Sequence, residues 1–245
     1  MDTTTQTPPP IQEKFDLHKL DQMLAKNKNV LFILIPIVLI ILGLLIAGLL
    51  WYKHNFLDGR KENLKSFTSV NYNVPYNLSI FKSDKNRIEI SNNENPYYDK
   101  IDFYIENNEL KVKNIPKISV PKRGAPEIII FAQSLNQIVN SDNGNIAVDK
   151  MEGGEVTLDM KGKGNIEVGN IVAKTLKATV RDSGDIIVDV GKVDMIEANI
   201  VNSSGKINLE GVESPTAKTK DIGTGTIKLN ANTVDQTKEK IKSKK

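Results

Sequence analysis

From residue 66 onward apolar and polar positions alternate with period two, but one earlier block does not alternate at all. "VLFILIPIVLIILGLLIAGLLWY", residues 30–52, carries no charge over 23 positions. A helix of that length rises about 34 Å, enough to cross a roughly 30 Å hydrocarbon core. Trp51 and Tyr52 stand at one end, where amphipathic rings favour the membrane interface. Pro36 is a kink that membrane helices tolerate. The run exceeds a typical signal-peptide core, comes after 29 other residues, and has no small-x-small cleavage pattern before Trp51. It predicts an uncleaved transmembrane helix.

The flanks complete the N-terminal layout. "TTTQTPPP" reads as disordered. "IQEKFDLHKLDQMLAKNK" places Phe15, Leu20, Met23 and Leu24 near one helical face, as a short amphipathic helix on the inner leaflet would. Residues 1–29 are therefore read as a cytoplasmic tail and 53–65 as a polar stalk. Lys19, Lys26 and Lys28 before the span face Lys53, Arg60, Lys61 and Lys65 after it. That balance does not orient the helix, so the expected topology rests on the distal part. It resembles an exported β-structure, which gives a cytoplasmic N-terminus and an extracytoplasmic head.

Within residues 66–132, "SFTSVNYNVPYNLSIFKS" and "NRIEISNN" alternate. "KIDFYIENNELKVKN" is a hairpin turning at Asn107-Asn108, since Asn tolerates the positive φ that tight turns need. "PEIIIFA" reads as a buried strand. This stretch is expected to form a small β region that caps one end of a repeat array.

Residues 133–232 repeat. Gly144, Gly164, Gly184, Gly205 and Gly225 are spaced by 20, 20, 21 and 20 residues. Two positions after each stands isoleucine: Ile146, Ile166, Ile186, Ile207 and Ile227. Four positions after stands Val148, Val168, Val188, Leu209 or Leu229, while the position between varies. A second apolar set precedes most of the glycines: Val156, Leu158 and Met160, then Leu176, Ala178 and Val180, then Ile196, Ala198 and Ile200. Each repeat thus holds two short strands and a corner, with glycine taking the positive φ of a sharp turn. Such a unit cannot bury its apolar face alone, but stacked units can. The pattern predicts an all-β fold, a right-handed parallel β-helix-like solenoid of about five coils and roughly 24 Å height. A sandwich of coincidental spacing is the alternative. Residues 233–245 read as a Lys-rich tail.

The net charge of +3 lacks the basic excess of a nucleic-acid binder. There is no cysteine, so disulfides and thiolate chemistry are excluded. His18 and His54 both lie outside the repeats, which leaves no imidazole for catalysis or metal there. No cofactor or metal is expected; a calcium site would need a denser acidic loop. Asp142, Asn143, Asn165, Asp182 and Asp185 near the corners form a candidate polar binding strip, or else serve the turns themselves.

The corners "SGDI" and "NGNI", with the upstream hairpin ending "ENNELKV", resemble the bacterial auto-transporter adhesin head (head-GIN) domain and the related DUF4097-type β-strand repeat proteins. The resemblance covers residues 66 to about 230. Lys163, Lys206 and Thr226 depart from it, standing where that family prefers Ser or Asp. It implies a β-helical extracytoplasmic head with no catalytic residues to carry over. The expected function is a non-catalytic binding, adhesion or scaffold module of the cell envelope. Its partners are then the lipid bilayer through 30–52 and an envelope protein or glycan, with no nucleic acid. Two alternatives stand beside it: a self-assembling, bactofilin-like element, and a polysaccharide-acting enzyme using Asp182 and Asp185. The second needs those carboxylates in a groove with aromatic subsites.

Overall fold

The computed structural model describes residues 39–48, 59–91, 100–114 and 125–241, with side chains to residue 236. The chain divides into two units, 1–53 and 54–245. In the first, residues 39–48 are helical, with exposed leucines and isoleucines. No helix among the described residues is long and apolar enough to cross a membrane. The 1–29 tail and most of the 30–52 segment lie outside the described residues.

The second unit is all β. Its first strands are β1 (Arg60–Asn63), β2 (Ser69–Asn73), β3 (Leu78–Lys82), β4 (Arg87–Ile90), β5 (Ile101–Glu106), β6 (Glu109–Asn114), β7 (Ile128–Ala132) and β8 (Gln137–Asn140). The repeats comprise β9 (Ile146–Met160), β10 (Asn165–Val180), β11 (Asp185–Ser203), β12 (Lys206–Leu209), β13 (Val212–Glu213), β14 (Thr216–Gly223), β15 (Thr226–Leu229) and β16 (Val234–Ile241). Together they make a β-solenoid of about five turns.

Two ladders of strands build it. The first runs β1-β4-β7-β3-β9-β10-β11-β12-β15; the second runs β5-β6-β2-β8 and then the later halves of β9, β10 and β11, ending in β14 and β16. β9, β10 and β11 belong to both ladders, because each passes from one to the other without losing its parallel pairing. The two short strands read from each repeat are therefore joined into one long strand in these three coils.

The isoleucines after the corners form one interior file. Ile146 pairs with Ile166, Ile166 with Ile186, Ile186 with Ile207 and Ile207 with Ile227. The file continues the other way through Leu78, Ile128 and Ile90. All but Ile227 are 1% exposed or less, and Ile227 is half-buried against the core. Aliphatics stacked at the strand spacing bury one another fully on both sides, except at the last rung.

Four expectations change. Residues 66–132 are not a separate cap. β2, β3, β6 and β7 stack parallel on the same ladders, and among the described residues β1, β4 and β5 add antiparallel strands at their starts. Residues 60–63, read as stalk, form β1, because Arg60–Asn63 finds an open backbone edge on β4. Residues 234–241, read as tail, form β16 on β14 for the same reason. In β7 only alternate residues are buried, so Ile129 and Phe131 face outward.

Two Asn turns carry positive φ. Asn107 and Asn108 (52° and 62°) close the β5–β6 hairpin as expected. Asn202 (51°) lies where the β11–β14 register slips between Val201 and Ser203. That β-bulge absorbs the one extra residue between Gly184 and Gly205.

Candidate functional site

The corner residues converge on one edge of the column. Gly144, Gly164, Gly184, Gly205 and Gly225 stack in order, the first of them on the corner at Tyr76. None of the five has positive φ, which corrects the turn argument: among the described residues the only glycine with it is Gly59. The cause is close approach. A Cβ on any of the five would come closer than 3.0 Å to the carbonyl oxygen of the corner before it. Gly162 and Gly223 meet Asp142 and Ser203 in the same way. Coils stacked at strand spacing leave no room for a methyl group there.

A chain of side-chain acceptors runs beside the glycines. The Asn145 N–H donates to Asn77 Oδ1 at 3.2 Å, and the Asn165 N–H to Asn145 Oδ1 at 3.0 Å. The Asp185 N–H donates to Asn165 Oδ1 at 3.2 Å, and the Lys206 N–H to Asp185 Oδ1 at 2.8 Å. Each short side chain thus satisfies a backbone donor of the next coil. Asp142 and Asp182 act locally, accepting from the N–H groups of Asn143 and Ser183 at 2.8 Å. Asn143 is exposed and contributes its backbone. Of the candidate strip, then, Asn165 and Asp185 join adjacent coils, while Asp142 and Asp182 order their own turns.

Two buried staples escaped the sequence reading. Asn140 Nδ2 donates to the Gly144 carbonyl at 2.7 Å, and its Oδ1 accepts from the Asp142 N–H at 3.3 Å. Ser203 Oγ accepts from the Gly205 N–H at 2.9 Å and donates to the Asp182 carbonyl. The signal available was a polar residue in the last interior position before a corner glycine. At the first corner Tyr72 is fully buried and donates to the Tyr76 carbonyl at 2.9 Å. Burial holds its phenol well above the ordinary value of 10.0.

The corner edge therefore offers bonded turn groups rather than paired, free carboxylates. Among the described residues no cluster of His, Asp or Glu could hold a metal ion. The aromatic side chains that reach the surface sit elsewhere. Phe81 and Phe131 pack 6.0 Å apart with the Arg87 guanidinium 4.4 Å over Phe131, and Tyr104 lies beneath Lys113 at 4.9 Å. The outward rows of the ladders are mixed in charge and laced with ion pairs, such as the exposed Lys177–Glu155 at 2.6 Å and the half-buried Lys111–Glu109 at 3.7 Å.

The class defined by this geometry is a glycine-cornered β-solenoid whose corner side chains bond to their own turns and to neighbouring coils. The chain belongs to the family described as "Putative auto-transporter adhesin, head GIN domain", which matches residues 66–237. Solved structures share the fold. A "putative adhesin" of Bacteroides fragilis is 18% identical with a TM-score of 0.64, covering 70% of this chain and 79% of that one. A "putative adhesin" of Parabacteroides merdae is 18% identical with a TM-score of 0.51, covering 75% and 92%. A "putative lipid binding protein" of Parabacteroides distasonis is 20% identical with a TM-score of 0.51, covering 69% and 80%. No curated protein matches the chain.

Proposed function

We propose that the chain is a membrane-anchored, non-catalytic binding, adhesion or scaffold module of the bacterial cell envelope. In this reading residues 30–52 cross the membrane, the N-terminus is cytoplasmic and the head is extracytoplasmic. The uncharged 23-residue run supports the anchor, and membership of an adhesin-head family supports the role. The observation that carries the reading is the fate of the corner groups. Asn165 and Asp185 accept hydrogen bonds from neighbouring coils. A hydrolytic pair would instead aim two carboxylates at a shared substrate position. What remains for recognition is the rigid outward surface of the ladders, suited to an envelope protein or glycan partner.

The test is capture of envelope components on the purified head, residues 59–245, which holds a complete core of its own. Retention of a defined envelope protein or polymer, unchanged by Asp182→Asn/Asp185→Asn, supports the reading. Turnover of a polysaccharide that those substitutions abolish would overturn it. Protease added to intact cells of a single-membrane host should release the head; a protected head would contradict the placement.

A further inference from the structure

The two ends of the column differ. At its start, β1 closes the first ladder with Arg60 and Glu62 at the register positions of the interior residues Ile90 and Ile88, and the two side chains bond to each other at 2.6 Å. β5, which starts the second ladder, is already covered. The Arg60 guanidinium lies 4.3 Å over the Phe103 ring, Arg60 Nη1 donates to the Ile101 carbonyl at 3.2 Å, and Ile101 and Phe103 are both buried. At the far end the second ladder finishes in β16, where Asp235 takes an interior register position and accepts from Thr219 Oγ1. The first ladder finishes differently. β15 continues the interior files with Ile227 and Leu229, which are half-buried, whereas their counterparts in β12, Ile207 and Leu209, are 0% exposed. Among the described residues no strand pairs with the outer edge of β15.

The backbone of β15 is open at the same two residues. The Thr226 N–H donates to the Gly205 carbonyl of the preceding coil at 3.3 Å. Backbone groups alternate in direction along a strand, so Thr226 and Lys228 turn theirs to β12, while Ile227 and Leu229 turn theirs to the free edge. One added strand would satisfy those groups and cover the two aliphatics together. A head-to-tail contact with β1 of another copy would set this aliphatic rung against Arg60 and Glu62, at the cost of burying charge. A second β15 brings no inward charge. In an antiparallel pairing centred on Ile227, that residue faces its own copy, and Lys228 faces Thr226 of the second copy rather than another lysine. We propose that β15 pairs with β15 of a second copy, joining two heads tail to tail across a two-fold axis. The contact uses both free edges, so it closes at two copies and gives no filament. β1, the first strand of the chain, lies at the opposite end of the ladder from β15. The chains leading into the two columns therefore leave the pair in opposite directions, an arrangement suited to heads standing on facing surfaces. That last step rests on the proposed anchor; the pairing itself does not.

Light scattering after size exclusion, run on the head 59–245 from micromolar to near-millimolar protein, should show the mass rising to that of two copies and no further. Ile227→Lys puts charge on the open rung and should hold the head monomeric over the same range. Ala147→Lys, at an exposed outward position on β9, should dimerise like the parent. Should Ile227→Lys fail to fold by circular dichroism, crosslinking decides, because the chain has no native cysteine. On mild oxidation a mixture of Thr226→Cys and Lys228→Cys heads should form the mixed disulfide in preference to either variant with itself, since opposed residues of an antiparallel pair lie about 4.5–5.5 Å apart at Cβ. Beads coated with the head through its N-terminus should cluster, and beads coated through its C-terminus should not. A parent that stays monomeric, growth beyond two copies, a dimer that survives folded Ile227→Lys, or absence of the mixed disulfide would overturn the pairing. Beads that cluster in neither orientation or equally in both, with the dimer intact, would overturn the facing-surface arrangement alone. The envelope binding role is judged separately, by the capture experiment.

Discussion

Gly184 and Gly154 show how little of a glycine's role is visible in its own backbone. A Cβ on Gly184 would strike the Gly164 carbonyl, whereas one on Gly154 would meet nothing within 4 Å. Gly184→Ala should therefore cost on the order of 1–3 kcal/mol in urea unfolding. Gly154→Ala should be neutral or stabilising by up to about 1 kcal/mol. Equal effects would refute the close-approach account. Asn165→Ala leaves the Asp185 N–H without its acceptor and should cost about 0.5–1.5 kcal/mol. Tyr72 gives a pH signature. Its native phenol holds its proton above the unfolded value of about 10, so its contribution is complete below pH 10. That contribution is lost as pH rises further. Tyr72→Phe should cost about 1 kcal/mol at pH 7 through the lost hydrogen bond. It should also flatten the decline in stability above pH 10, as tracked by urea midpoints across pH.

Strands and their irregularities were unequally legible. The Asn107-Asn108 turn and the glycine-isoleucine period could be read directly, because each is a local pattern with one geometric solution. The uneven spacing before Gly205 was visible as a number but not as a place. The extra residue is Asn202, and only the pairing of β11 with β14 reveals it. Asn202→Gly should change stability by a few tenths of a kcal/mol at most, while Asn202→Val should cost about 1–2 kcal/mol, measured by thermal or urea unfolding. β1 and β16 were missed because polar segments such as "RKEN" and "VDQTKEKI" carry no apolar face. They are strands because a neighbouring edge offers hydrogen bonds, and that is a tertiary cause. The glycine argument failed for a similar reason: the obstacle is a carbonyl about 20 residues away.

The column as a whole was legible from ten aliphatic positions, and the candidate strip in position, with ligand binding and service to the turns both open on the sequence. Short Asp and Asn side chains at corners suit a ligand or a turn equally well on paper; in the fold Asn165 and Asp185 accept from the next coil, and Asp142 and Asp182 from their own turns. The account rests on consecutive repeats lying in register at one-strand spacing, and the absence of native cysteine allows a direct trial. Glu167 and Ile187 are outward neighbours in register on β10 and β11, and Ala147 and Ile187 are two coils apart. Mild oxidation of Glu167→Cys/Ile187→Cys should give an intramolecular disulfide in nearly all folded molecules, since neighbouring strands lie about 4.8 Å apart. Ala147→Cys/Ile187→Cys, about 9.6 Å apart, should give none. A crosslink in the second pair, or its failure in the first, would contradict the stacked column.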